Sequence, residues 1–197
     1  PRRPSAALHP ERRACGMPLG VTRLTYPDPP LSGGRVALRP WSDADLDCLR
    51  DAATDPRIPE GTTVPATFTP DAARAFVRRQ WSRESGGEGL SLAITAGGDA
   101  VGTCVLMLRP QESVAGIGYW LIPRARGRGL ATAAVRLLTD WALQDTGLAR
   151  IEAWVEPDNT PSLHVLAAAG FEREGLLRSF LSFGDRRADA VVLSRLA

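Results

Sequence analysis

The sequence predicts a mixed α/β fold, a single sheet of about seven strands with helices on both faces. Three observations carry that expectation. Short apolar stretches alternate at period two, longer stretches place apolar residues at helical spacing, and the order β-α-α-β-β-β-α-β-α-β-β mixes hairpins with one helical crossover. With 197 residues, 44% of them hydrophobic, the chain can bury one substantial core but is short for two full domains.

From Pro1 to about Gly34 the chain is rich in Pro, Gly, Ser and Arg and lacks either periodicity, which predicts a flexible or loosely packed arm over 1–34. Met17 offers an alternative start. The predicted domain covers 35–197. It opens on a strand in which Val36, Leu38 and Pro40 alternate with Arg35, Ala37 and Arg39. Ser42, with Asp45 three residues on, marks a capped helix whose buried face is Leu46, Leu49 and Ala53. Thr69-Pro70-Asp71 starts a second helix, with a capping hydroxyl before a proline in the first turn and Ala73, Phe76, Val77 and Trp81 along one side. A hairpin follows, its strands running through Leu90, Leu92 and Ile94 and then Val101 to Leu108 around a Gly97-Gly98-Asp99 turn.

Val114 to Ile122 forms the next strand, and Leu130, Ala134, Leu137, Leu138 and Trp141 make the inner stripe of a long helix ending near Gly147. In the strand Arg150 to Glu156, Ile151, Ala153 and Val155 share one face and Glu152, Trp154 and Glu156 the other. Thr160-Pro161 starts a helix that stops at Gly170, and two strands, Leu176 to Phe183 and Ala188 to Leu196, join around Gly184-Asp185. No internal repeat is visible.

Between the strand and the long helix lies Arg124-Ala125-Arg126-Gly127-Arg128-Gly129. A helix start carries backbone N–H groups without intrahelical acceptors and the positive end of the helix dipole, so it attracts anions. Gly127 and Gly129 remove the Cβ atoms that would hold a ligand off the backbone, and three arginines add full charge. A strand, a glycine-arginine loop and a helix in that order suit a bound pyrophosphate.

Composition removes several alternatives. None of the 24 Lys and Arg residues is lysine, which excludes a P-loop lysine and Schiff-base chemistry. A net charge of +2, without a patch of interleaved basic and aromatic residues, argues against nucleic-acid binding. Cys15, Cys48 and Cys104 are odd in number and lack metal-ligand spacing, His9 and His164 are far apart, and neither a metal site nor a disulfide framework is expected. No stretch reaches the roughly 20 apolar residues that span a bilayer, and Arg2-Arg3 is not followed by an apolar signal region.

Four blocks occur in order: Gly118-Tyr119-Trp120-Leu121; Arg124 through Thr132; Pro157-Asp158-Asn159-Thr160-Pro161-Ser162; and Ala169-Gly170-Phe171 with Glu174-Gly175. On these blocks the chain from about Arg35 onward resembles the GCN5-related N-acetyltransferase (GNAT) superfamily, most of all its RimJ/RimL branch. The resemblance implies a mostly antiparallel sheet splayed between its fourth and fifth strands, with a slot for the pantetheine arm of an acyl-CoA. It implies that Leu121 and Ile122 bond the pantetheine amides and that the amides of Arg126, Gly127, Arg128, Gly129, Leu130 and Ala131 hold the pyrophosphate. Thr132 adds a hydroxyl, and Asn159 contacts the cofactor or, alternatively, orders the turn before its helix.

The implied activity is a cytoplasmic N-acetyltransferase moving an acetyl group from acetyl-CoA, its cosubstrate, directly to a primary amine, on a protein N-terminus or a small molecule. A homodimer is an open arrangement. Ser162, in the branch's Asn-x-x-Ser spacing, is the candidate acid for the leaving thiolate, against a reading as an ordinary first-turn hydroxyl. Leu166 stands where many relatives carry a tyrosine, Ala133 where a glutamate often follows the threonine, and Leu181 near the glutamate some relatives use as base. Glu152 is the candidate base, with Glu156 and Glu112 as others, each acting through water or, alternatively, a solvated surface carboxylate. The missing glutamates keep open a noncatalytic acyl-CoA sensor or partner-binding module, and a longer donor such as succinyl-CoA also fits. A dinucleotide oxidoreductase built on Gly127-x-Gly129 is disfavoured, because Thr132 replaces the third glycine of that fingerprint.

Overall fold

The computed structural model describes residues 23–197. Eight strands form one sheet in the order β1-β2-β3-β4-β5-β6-β8-β7. They are β1 (Leu31–Gly33), β2 (Val36–Pro40), β3 (Gly89–Ala96), β4 (Asp99–Leu108), β5 (Val114–Leu121), β6 (Arg150–Val155), β7 (Glu172–Phe183) and β8 (Arg186–Leu196). All neighbours run antiparallel except β5 and β6, which are parallel because a helix crosses between them. The helices are α1 (Leu46–Ala52), α2 (Arg57–Gly61), α3 (Pro70–Ser85), α4 (Leu130–Asp145) and α5 (Thr160–Ala168).

The expected mixed sheet is present with one strand more than expected. The extra strand is β1, which turns through Gly34 at φ 59° and pairs Leu31 with Leu38. Residues 23–34, expected to belong to an arm, pack into the fold where they are described. Leu24 is 2% exposed within the main core, and the Tyr26 hydroxyl lies 3.3 Å from the carbonyls of Gln80 and Ser91. Three residues are too few to show alternation, which is why β1 escaped the periodicity reading. Met17, Cys15 and His9 lie outside the described residues.

Local chemistry explains most element starts. Ser42 and Asp45 form the reciprocal capping box expected of them, and Arg39 then grips Asp45 at 2.7 Å through two nitrogens. A single 3-10 turn precedes α1, so its buried residues are Cys48, Leu49 and Ala52 in place of the expected Leu46, Leu49 and Ala53. Thr69 caps α3 ahead of Pro70. Trp81 of α3 is 40% exposed, with its indole N–H donated to Trp41 O at 2.7 Å, and the neighbouring Gln80 takes the buried position. The unexpected α2 is one turn containing Pro59, too short for a periodic signal.

Helices cover both faces. Trp120 of β5 meets Trp41, which packs edge-on to Phe76 of α3, so α1 and α3 lie on that side. Side chains alternate along a strand, and Tyr119 on the opposite face of β5 reaches α5, which packs beside α4. β5 thus runs through the centre of the molecule with a different helical layer on each face. Among the described residues no helix is long and apolar enough to cross a membrane, and no group of His, Cys, Asp and Glu could hold a metal. Cys48 and Cys104 are buried free thiols, and burial pushes the Cys48 thiol up to about 12.

Candidate active site

The sheet splits between β5 and β6. Their parallel ladder joins Val114 to Arg150, Ala115 to Ile151 and Gly116 to Glu152, and stops there. On its other side β5 stays paired with β4 along its length, from Ala115 opposite Leu108 to Leu121 opposite Gly102. Ile122 donates its N–H to Val101 O at 3.0 Å. Antiparallel pairing alternates residues whose backbone groups face the partner with residues whose groups face away. Counting back from Ile122, the N–H and C=O of Leu121, Tyr119 and Ile117 point away from β4, into the gap.

That register corrects one expectation. The Ile122 N–H is taken by Val101 O, and its carbonyl accepts from the Ala125 N–H at 3.0 Å, so Ile122 has no free N–H and one acceptor site left for a pantetheine. Leu121 faces the gap, although its carbonyl already accepts from Arg126 Nε at 3.0 Å.

The glycine-arginine loop delivers free donors. The N–H groups of Gly127, Arg128, Gly129, Leu130, Ala131 and Thr132 find no acceptor among the described residues, and the first helical bond runs from Ala133 to Gly129 O at 3.1 Å. Gly129 caps α4 from the left-handed region, φ 74°, and Gly127 has φ 71°. A Cβ at either would meet nothing within 4 Å, so the open side of the loop belongs to solvent or ligand. The Arg126 N–H is the exception to the expected run, since it closes a 3-10 turn onto Pro123 O at 3.2 Å. Six consecutive donors at a helix N-terminus fit a diphosphate.

Two arginines expected to add charge there are held elsewhere. Arg124 Nε bonds Asp51 at 2.7 Å and Arg126 Nη1 bonds Asp55 at 2.6 Å, which ties the loop to the end of α1 and the start of α2. Hydrogen bonds from Arg57 and Arg126 draw the Asp55 carboxyl down to about 2. Arg128 is exposed and forms no ion pair among the described residues, so it is the side chain free to meet an anion.

Across the gap, Asn159 accepts from the Ser162 N–H at 3.3 Å and caps α5, the role expected of Thr160. Its side-chain NH2 group stays unengaged among the described residues. Ser162 Oγ lies 2.7 Å from the Tyr119 hydroxyl, which also sits 3.1 Å from the Ser162 carbonyl. Sequence reading used Tyr119 only as part of a strand block. Its alternation with Trp120 placed it on the α5 face, but the partner lies 43 residues away.

Glu152 is not with Ser162. It is the last residue of β6 paired with β5, with one carboxylate oxygen 3.1 Å from Arg109 Nε and the other 3.7 Å from Arg150 Nε. Arg109 in turn stacks on Trp154 at 3.8 Å and fills the space over Gly116. Both carboxylate oxygens are engaged by guanidinium groups, and the residue stands level with Gly116, back along β5 from Tyr119, so the structure does not bring it to Ser162. Glu156 is likewise bound to Arg186 at 2.5 Å. His164 is exposed, and Leu166 is fully buried core.

Residues 35–172 match the model of the family described as "Acetyltransferase (GNAT) domain". The chain is 32% identical to the uncharacterized N-acetyltransferase p20 of Bacillus licheniformis over 82% of its own length and 93% of that protein's. A shorter match, 40% identical over 49% of this chain and 54% of the other, is to the probable N-acetyltransferase YjcK of Bacillus subtilis. Among solved structures, Mycobacterium smegmatis RimJ in complex with CoA-disulfide superposes with a TM-score of 0.75 at 30% identity, covering 85% of this chain and 86% of that one. The split sheet and donor-rich loop thus belong to an acyl-transferring enzyme, and the chain is a member of the GNAT acetyltransferase family. Its likeness to RimJ-type proteins agrees with the branch that the four sequence blocks indicated.

Proposed function

We propose that this N-acetyltransferase takes acetyl-CoA as donor, holds its diphosphate on the amides of Gly127 to Thr132, and passes the acetyl group directly to a primary amine entering the β5–β6 gap. One observation carries this reading: six donors without an acceptor among the described residues stand beside a strand whose outward backbone groups face the stretch where β6 no longer pairs with it. Bound there, acetyl-CoA supplies an activated thioester carbonyl. The backbone of Leu121, Tyr119 and Ile117 orients its pantetheine arm, Arg128 and the Asn159 NH2 group add side-chain donors, and Thr132 contributes a hydroxyl. Ser162 donates a hydrogen bond to the sulfur as the carbon–sulfur bond breaks. An alkyl thiol is a stronger acid than an alcohol, so Ser162 stabilises the thiolate without surrendering its proton outright. With Glu152 and Glu156 both ion-paired, the proton released by the amine leaves through water in the gap. The acceptor is a protein N-terminus or a small amine, and the buried free thiols suit a cytoplasmic setting.

Isothermal titration with acetyl-CoA, followed by an amine and peptide panel monitored for free CoA, tests the proposal. Saturable binding and CoA release are expected. Absence of binding overturns the donor site. Binding without turnover on the whole panel replaces the transferase by an acyl-CoA sensor, and faster turnover with succinyl-CoA replaces the acetyl donor.

A further inference from the structure

We propose that Tyr119 is a positioning residue for Ser162, donating its phenolic proton to Ser162 Oγ so that the serine's own proton faces the departing thiolate. The inference rests on the reading of Ser162 given above. The two oxygens are 2.7 Å apart, the usual length of an O–H···O bond, and each hydroxyl has one proton to give. If Tyr119 donated to the Ser162 carbonyl, it would have to accept the serine's proton, and none would remain for sulfur. The carbonyl lies farther away, at 3.1 Å. Either hydroxyl can donate in the 2.7 Å contact, and the arrangement proposed is the one that leaves the serine proton free.

The surroundings hold the two hydroxyls together. A serine in the first turn of a helix rotates freely about its Cα–Cβ bond, and the tyrosine removes that freedom. Tyr119 is itself rigid, since β5 is laddered to β4 with Tyr119 opposite Cys104. Burial pushes its phenol above the ordinary tyrosine range, so it keeps its proton as a neutral donor. One turn along α5, Leu166 is fully buried and offers no hydroxyl, so the phenol arrives from the strand and not from the helix.

The test compares Tyr119→Phe, Ser162→Ala and the double variant by steady-state kinetics, with CoA affinity from isothermal titration. Tyr119→Phe is expected to lower kcat about tenfold, as loss of one hydrogen bond would, with KM and Kd for the CoA ligands within about twofold. Ser162→Ala is expected to lose at least as much, and the double variant no more than Ser162→Ala alone. Additive losses, a loss confined to KM, or wild-type kcat in Tyr119→Phe alongside a slow Ser162→Ala would overturn the positioning role and leave Ser162 standing. Wild-type kcat in Ser162→Ala would remove both. Because the chain has only two tyrosines, 3-fluorotyrosine labelling gives a check independent of the stability of Tyr119→Phe. The Tyr119 fluorine signal is expected to move when Ser162 becomes alanine, and an unmoved signal refutes the contact.

Discussion

Gly127 and Gly129 hold φ values of 71° and 74°, a region that costs other L-residues about 1–2 kcal/mol. A Cβ at either position meets no protein atom, so that conformational cost is the whole penalty in the free enzyme. Gly129→Ala is accordingly expected to lower the melting temperature by a few degrees, about 2–4 °C per kcal/mol at this chain length. Its Kd for acetyl-CoA should rise more than tenfold, because the added methyl stands where the diphosphate approaches the amides. Calorimetry and titration on one preparation separate the two effects, and a lower melting point with unchanged Kd would mean that the glycine serves the turn alone. The glycines were legible in the sequence because their requirement is local. The arginines were misread because theirs is not: Arg124 and Arg126 are claimed by carboxylates 73 and 71 residues away, and no spacing rule reports a pairing at that distance. The pairing of Glu152 was hidden for the same reason, because Arg109 lies 43 residues away, just past the end of β4.

At the level of elements, the first turn of α5 is capped by a single side chain. Asn159 accepts from the Ser162 amide, the one side-chain bond that caps the helix, and the same bond sets where Ser162 sits. Asn159→Ala is expected to cost about 1 kcal/mol of stability and to reduce kcat, since the first turn of α5 frays. Melting curves and initial rates check both, and a stable variant with unaltered kcat would remove Asn159 from the catalytic arrangement. Long helices and the β3–β4 hairpin were readable because periodicity accumulates over many residues. α2, β1 and the 3-10 turn before α1 are each five residues or fewer and never accumulate it. The split between β5 and β6 was implied by resemblance only. It depends on where a ladder stops, and nothing in the side-chain alternation of Ile117 to Leu121 differs from that of a paired strand.

Across the whole molecule, ion pairs connect the parts that surround the gap. Asp55 joins the loop to the start of α2, Arg186 links the β7–β8 hairpin to Glu60 and Glu156, and Glu174 joins β7 to β6 through Arg150 and to β8 through Ser194. The Glu174 carboxyl, held by Arg150 and Ser194, is drawn down to about 2, as is that of Asp55. A folded-state value below the unfolded one contributes stability that is complete above the unfolded carboxyl range, about pH 4, and lost as pH falls toward 2. The melting temperature of the wild type is therefore expected to fall between pH 5 and pH 2. Asp55→Asn should melt lower at pH 6 and converge on the wild type as pH approaches 2. A gap between the two that stays constant over that range would mean that the carboxylate charge contributes nothing.

The outward backbone of β5 from Ile117 to Leu121 has a wider consequence, because it is a sheet margin set inside the protein and not at its rim. Such margins recruit whatever strand-like chain can reach them. On the proposed function a pantetheine, extended and bearing two amides, would satisfy that demand much as a ninth strand would.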